Sequence, residues 1–177
     1  MIQKIDVHEP ELPNEAEGGF MLVEGLGTML FYLLMLAIGA GVLVSLFSNR
    51  DLSQAQQGLS QLRMEIRQLY SASPNYSGLT TEVARSAGVI PIDMDTGSSV
   101  VNPWNGAVTL STGSDSSTFT ISYGDVPRES CTKLAMYQHG SWVDVAVGGA
   151  SINQTTGTVS DATNACGDAN TIVFTSN

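Results

Sequence analysis

Apolar residues are spread unevenly along the chain. From Gly25 to Phe47 stand 23 consecutive uncharged residues, GLGTMLFYLLMLAIGAGVLVSLF. At about 1.5 Å of rise per residue, a helix of that length reaches roughly 34 Å, the thickness of a bilayer's hydrocarbon core. No second helix in the sequence could cover such a run on all sides. The pattern therefore predicts a membrane span rather than a buried core helix. A cleaved secretory signal fits poorly. The segment Met1 to Gly19 ahead of the run carries one base, Lys4, and five acids, Asp6, Glu9, Glu11, Glu15 and Glu17, and no A-x-A-like site follows the run.

Beyond Phe47 the pattern changes to amphipathic without a helix breaker. Leu52, Ala55, Leu59, Leu62, Ile66 and Leu69 recur at spacings of 3, 4, 3, 4 and 3, which lays one apolar stripe along a helix. Arg50, Asp51, Gln54, Gln57, Arg63, Glu65 and Arg67 occupy its other faces. A single helix from about Phe20 to Ala72 is expected, with an apolar half over 20–47 and an amphipathic half over 48–72. Ser73-Pro74-Asn75 ends it, because proline disfavours helical geometry in the preceding residue. The stripe spans fewer than three heptads, which is short for a coiled coil. It is expected to pack against the chain's own following domain, residues 73–177.

That domain reads as short strands with small helices. Val108–Ser111, Thr118–Tyr123, Trp142–Val147 and Thr171–Thr175 alternate as antiparallel strands do. Thr80 to Ala87 fits a short helix stopped by Gly88, and Val126 to Tyr137 a second one lying on the sheet. Asn105-Gly106 signals a tight turn between strands. The fold class is α+β: a long N-terminal helix packed on a C-terminal antiparallel sheet.

Composition narrows the function classes. Seven Lys+Arg against seventeen Asp+Glu give a formal net charge of −10, yet only 14% of residues are charged and 42% are hydrophobic. That balance excludes a disordered polyelectrolyte. With no basic stripe to neutralise phosphates, nucleic acid is not an expected partner. Two cysteines and two histidines are too few for the usual structural zinc site. A Cys–His nucleophile using His139 would rest on a lone residue of each type, and Asp93 with Asp95 reads as solvated surface. Phosphate-binding glycine loops, G-x-S-x-G and H-E-x-x-H are all missing from the sequence. No enzyme activity and no cofactor are expected.

The stretch Gly18-Gly19-Phe20-Met21-Leu22-Val23-Glu24 stands at the mouth of the apolar run. A carboxylate there costs up to about 3 kcal/mol if it is central in a bilayer and less near the interface, so it calls for a function. This arrangement resembles the prepilin cleavage site of type IV pilins. The resemblance implies a leader over 1–19, cut after Gly19 by a prepilin peptidase. Phe20 would be the N-methylated first mature residue, and Glu24 the glutamate that pairs with a neighbouring subunit's new ammonium. Two features depart from that pattern. The leader is acidic, so that Lys4 stands against Arg50, Arg63 and Arg67 beyond the span and the positive-inside count points the wrong way. Gly39-Ala40-Gly41 also lies where many pilins carry a proline.

The second half resembles type IVb pilins, in particular the PilS-like thin-pilus pilins of conjugative systems. The residues that carry this are Tyr76-Ser77-Gly78-Leu79-Thr80-Thr81, Ile90-Pro91 and Asn102-x-Trp104-x-Gly106. If the head is exported as the anchor implies, Cys131 and Cys166 are expected to form a disulfide. The pair also resembles the one that bounds the exposed region of pilins. The resemblance implies the major subunit of a type IVb pilus, a homopolymer serving adhesion, aggregation or conjugative mating. Its partners would be the peptidase and the inner-membrane assembly machinery. The precursor would lie in a bacterial inner membrane and the mature chain in an extracellular filament. A minor pilin, a secretion pseudopilin and a non-polymerising single-span sensor are the alternatives.

Overall fold

The computed structural model describes residues 17–177, with side chains described for 28–35 and 50–177. The chain divides into two units, Met1–Ser45 and Leu46–Asn177. In chain order the elements are α1 (Glu17–Leu69), α2 (Thr81–Ser86), β1 (Val108–Thr112) and β2 (Phe119–Pro127). There follow α3 (Arg128–Ala135), β3 (Asp144–Val147), β4 (Ala150–Ile152), α4 (Val159–Ala165) and β5 (Ala169–Ser176). The α+β class expected from the sequence is the one observed.

In the first unit, seven consecutive apolar side chains of α1, Met29 to Met35, are between 51% and 66% exposed. Among the described residues no helix is long and apolar enough to cross a membrane. Most side chains of the Gly25–Phe47 run, and residues 1–16 of the expected leader 1–19, lie outside the described residues.

The second unit is built on one antiparallel sheet in the order β1-β2-β5-β3-β4. Its registers place Leu110 opposite Ile121, Ile121 opposite Phe174, Phe174 opposite Val145, and Val145 opposite Ile152. One apolar row therefore crosses all five strands. Val108, Tyr123, Ile172 and Val147 form a second row beside it. Side chains alternate between faces with a period of two, so a slip of one residue would turn these rows towards solvent. Ala55, Leu59, Leu62 and Ile66 of α1 are at most 1% exposed and belong to the same core as these rows. The ends of the expected stripe are looser, with Leu52 partly buried and Leu69 40% exposed. Gly58 lets the chain after α2 come close to the helix, since a Cβ there would stand 2.8 Å from the sulfur of Met94.

Several boundaries differ from expectation, each for a local reason. Helix α1 stops at Leu69, short of Ala72, and Tyr70 stacks instead on Tyr76 with ring centroids 5.4 Å apart. The second helix begins at Arg128, because Val126 and Pro127 pair with Asn170 and Ala169 in the sheet. Trp142 precedes β3. Two elements had no expectation at all, β4 and α4. The first is three residues long, directly after Gly148-Gly149. The second opens on a capping box, Thr158 with Asp161.

Asn105-Gly106 does not join two strands as a two-residue hairpin. It closes a small loop in which Asn102 N–H donates to Gly106 O at 2.9 Å, next to an isolated bridge between Val101 and Ala107. Asn105 sits at φ 65°, a left-handed conformation that asparagine tolerates better than most residues. The Asn102 side chain is the hub. Its Nδ2 donates to Gly124 O at 2.6 Å, while its Oδ1 accepts from the N–H groups of Trp104 and Gly106 at 2.9 and 3.0 Å. Gly106 is held so close to β2 that a Cβ would come within 1.9 Å of Gly124 O. The asparagine and the glycine of Asn102-x-Trp104-x-Gly106 thus each meet a physical requirement. Asn102→Ala would strand two donors and one acceptor in a largely buried corner, a loss of about 2–3 kcal/mol. Chemical denaturation should show the midpoint falling, and an unchanged midpoint would reject the hub role.

Candidate functional site

Gly19, Phe20 and Glu24 all lie on α1 by backbone, with Phe20 and Glu24 one turn apart at i and i+4. Their side chains are outside the described residues, so no contact of theirs enters here. Apart from the exposed Met29–Met35 stretch, the described surfaces lie on the second unit.

Cys131 of α3 and Cys166 at the end of α4 form a disulfide with a Cα–Cα distance of 6.0 Å, and both are buried. The bridge closes a segment that contains β3, β4 and α4. With Cys131 oxidised, the nucleophile reading with His139 is gone, and the His139 Nε2 instead lies 3.1 Å from Asn153 O. Inside the segment, Asp161 accepts from the backbone N–H and the hydroxyl of Thr158, both at 2.8 Å. These bonds, the backbone one foremost, hold its carboxyl below the usual carboxylate range.

Arg63 ties α1 to the segment, a role that the sequence reading did not single out. Its Nε donates to Ser176 Oγ at 2.9 Å and its terminal nitrogens to Ser141 Oγ at 3.3 Å and Ser141 O at 2.5 Å. The guanidinium carbon stands 4.3 Å from the centre of the Trp142 ring, a cation–π contact. Burial first, then the neighbouring Arg67, lowers its pKa from the ordinary arginine value. One turn earlier, Ser60 Oγ lies 3.0 Å from Tyr137 Oη, and Gln138 Nε2 donates to both at 3.4 and 3.3 Å. On the other flank of α1, Gln54 Nε2 donates to Asp93 Oδ2 at 2.8 Å. Asp95 accepts from Gly97 N–H and lies 3.4 Å from Arg85 Nε. The two aspartates are therefore separately engaged and do not act as a carboxylate pair. Among the described residues, no group of three or more His, Cys, Asp or Glu side chains could hold a metal ion.

An amphipathic helix packed on a five-stranded antiparallel sheet, with a disulfide bracing its last third, is the fold of a type IV pilin. Two solved structures share it. The type IVb pilin from Salmonella typhi superposes with a TM-score of 0.55 at 20% identity, over 73% of this chain and 99% of that one. TcpA, a type IV pilin from Vibrio cholerae El Tor biotype, gives 0.55 at 16% identity, over 72% and 99%. A family profile described as PilS N terminal matches residues 49–177, and the chain belongs to that family. No curated protein matches the chain significantly.

Replacing Cys131 and Cys166 together by serine should cost about 3–4 kcal/mol, the entropic value for a bridge across 35 residues. Unfolding of the oxidised and mutant proteins measures it, and equal stabilities would show the bridge to be idle. The Asp161 cap has a definite pH sign. A depressed pKa adds stability that is full above the ordinary carboxylate value, about 4, and is lost as pH falls through the lower folded value. The protection of the Val159–Ala165 amides, exchange corrected for its intrinsic pH dependence, should therefore fall on acidification below pH about 4. Asp161→Asn should remove that dependence.

Proposed function

We propose that the chain is the major structural subunit of a type IVb pilus, polymerising through its N-terminal helix. The observation that carries this is Gly19-Phe20 with Glu24 at the mouth of an apolar run, in a chain whose remainder belongs to a pilin family. The precursor is held in the bacterial inner membrane by the apolar half of the helix. Prepilin peptidase cuts after Gly19 and methylates Phe20, and the inner-membrane machinery passes subunits into an extracellular filament. The filament serves adhesion, aggregation or conjugative mating. The protein is structural and not an enzyme.

Electrostatics gives Glu24 its part. Removal of the leader leaves an ammonium on Phe20, and in an apolar filament core that charge needs a partner. Glu24 follows Phe20 by one turn of α1, so a neighbour displaced axially by about one turn would bring its carboxylate level with that ammonium. A desolvated pair of this kind adds little net stability, but losing one partner strands a buried charge at about 3–5 kcal/mol. Misregistered subunits incur that penalty, so the pair sets the axial register.

Mass spectrometry of the surface-exposed chain should show an N-terminus at Phe20 carrying one methyl group. A chain that still begins at Met1 would overturn the reading. Glu24→Ala should be processed normally and yet yield no filaments, and normal filaments from it would reject the pairing role.

A further inference from the structure

Resting on the filament reading and deepening it, we infer that successive copies of this chain dock by seating the Ile92–Asp93 corner of one copy in the groove beside Arg63, Met64 and Arg67 of the next. The groove encloses about 510 Å³ and is lined by Ser60, Arg63, Met64, Arg67 and Gln138. Met64 offers an apolar surface, 63% exposed. Arg63 spends its donors on the neutral oxygens of Ser141 and Ser176. Among the described residues, the ion pairs are Arg85–Asp95 and Arg128–Asp168, so neither groove arginine has an anionic partner. Two adjacent uncompensated cations on a chain with net charge −10 make this the place where an acidic surface is best received.

The complement lies elsewhere on the same unit. Ile92 is 94% exposed, and Pro91 before it and Met94 after it are buried. Met94 N–H donates to Pro91 O at 3.0 Å, which fixes the turn and holds Ile92 outward. Asp93 is exposed, and its carboxylate is positioned by Gln54. An apolar side chain beside an acid is the chemistry that an apolar floor beside two arginines accepts. Val83 and Val143 also adjoin acids, Glu82 and Asp144, but they are shorter and only 42% and 51% exposed. Val143 moreover lies on the groove's own flank, next to Trp142, and Ser151 donates to the Asp144 carboxylate.

The two patches face different ways. At about 100° per residue, Gln54 lies roughly 110° to one side of the Ala55–Leu59–Leu62–Ile66 stripe, and Arg63 and Arg67 about 70–110° to the other. A contact between unlike patches on opposite flanks is heterologous. When its rotation does not close into a ring, it propagates as an open helical filament.

The test uses the full chain assembled on cells, in which Cys131 and Cys166 leave no free thiol among the described residues. The double variant Met64→Cys/Ile92→Cys should run as a ladder of covalent multimers on non-reducing gels. Cells co-expressing the two single variants should give mainly dimers, and either single variant alone should give monomers. Filaments that show no such cross-link, or equal dimers from one single variant, would overturn the docking. A second measurement stands if the cysteine variants fail to assemble. Arg67→Asp and Asp93→Arg should each lower filament yield at least tenfold, and the two together should restore at least a third of the wild-type yield. Unchanged yield from either reversal, or no recovery in the pair, would overturn it. Wild-type filaments without the contact sink this inference alone. A processed wild-type chain that makes no filament sinks the filament reading and this inference with it.

Discussion

The head exists because one face of α1 is buried. Leu59, Leu62 and Ile66 are fully enclosed, and burying three such side chains is worth on the order of 5–9 kcal/mol. That is comparable with the whole net stability of an ordinary domain, about 5–15 kcal/mol. The sheet's inner face, with its row from Leu110 to Ile152, has no other helix of comparable length among the described elements to cover it. Short helices α2, α3 and α4 close the margins, and Gly58 permits the tight approach of Met94 from the chain between α2 and β1. Everything outside the core then serves to hold the sheet and its connections in register with that stripe.

Two polar devices do this on opposite sides of the sheet. Asn102 pins the chain before β1 to the kink in β2, where the register shifts between Tyr123 and Val126. Arg63 and the disulfide hold the other side, linking α1 to Trp142 and to the end of β5 and linking α3 to α4. Because Gln54 ties Asp93 to α1 on one flank and Arg63 ties Ser141 and Ser176 to it on the other, the residues flanking the helix on the left and the right keep a constant spacing. A constant spacing is what a repeating assembly requires of its subunit.

The parts that were legible in the sequence are those governed by period. The 3,4 spacing from Leu52 to Leu69 located the buried face of α1, and alternation located β1, β2 and β5 to within a few residues. The disulfide followed from compartment and from there being only two cysteines. Long-range choices were hidden. Val126-Pro127 could begin a helix or finish a strand, and only pairing with Ala169-Asn170 decides it. Arg63 looks no different from Arg67 by sequence, and its cation–π contact depends on where Trp142 comes to rest. The capping box at Thr158-x-x-Asp161 was a readable signal for α4, set among so many Ser and Thr residues that it did not stand out.

The strand order carries a consequence for how the chain matures. Strand β5 comes last in the chain, yet it lies between β2 and β3 at the middle of the sheet. Until it arrives, β2 and β3 each present an open edge, and the apolar row of five strands is split in two. Pairings so distant in sequence form slowly, because a long loop must close before any contact is gained. During synthesis from the N-terminus, α1 is therefore present long before the surface that should cover its stripe. The head becomes a folded object only when its final segment has been made, so a chain cut short before β5 leaves an open sheet and never a partly complete core.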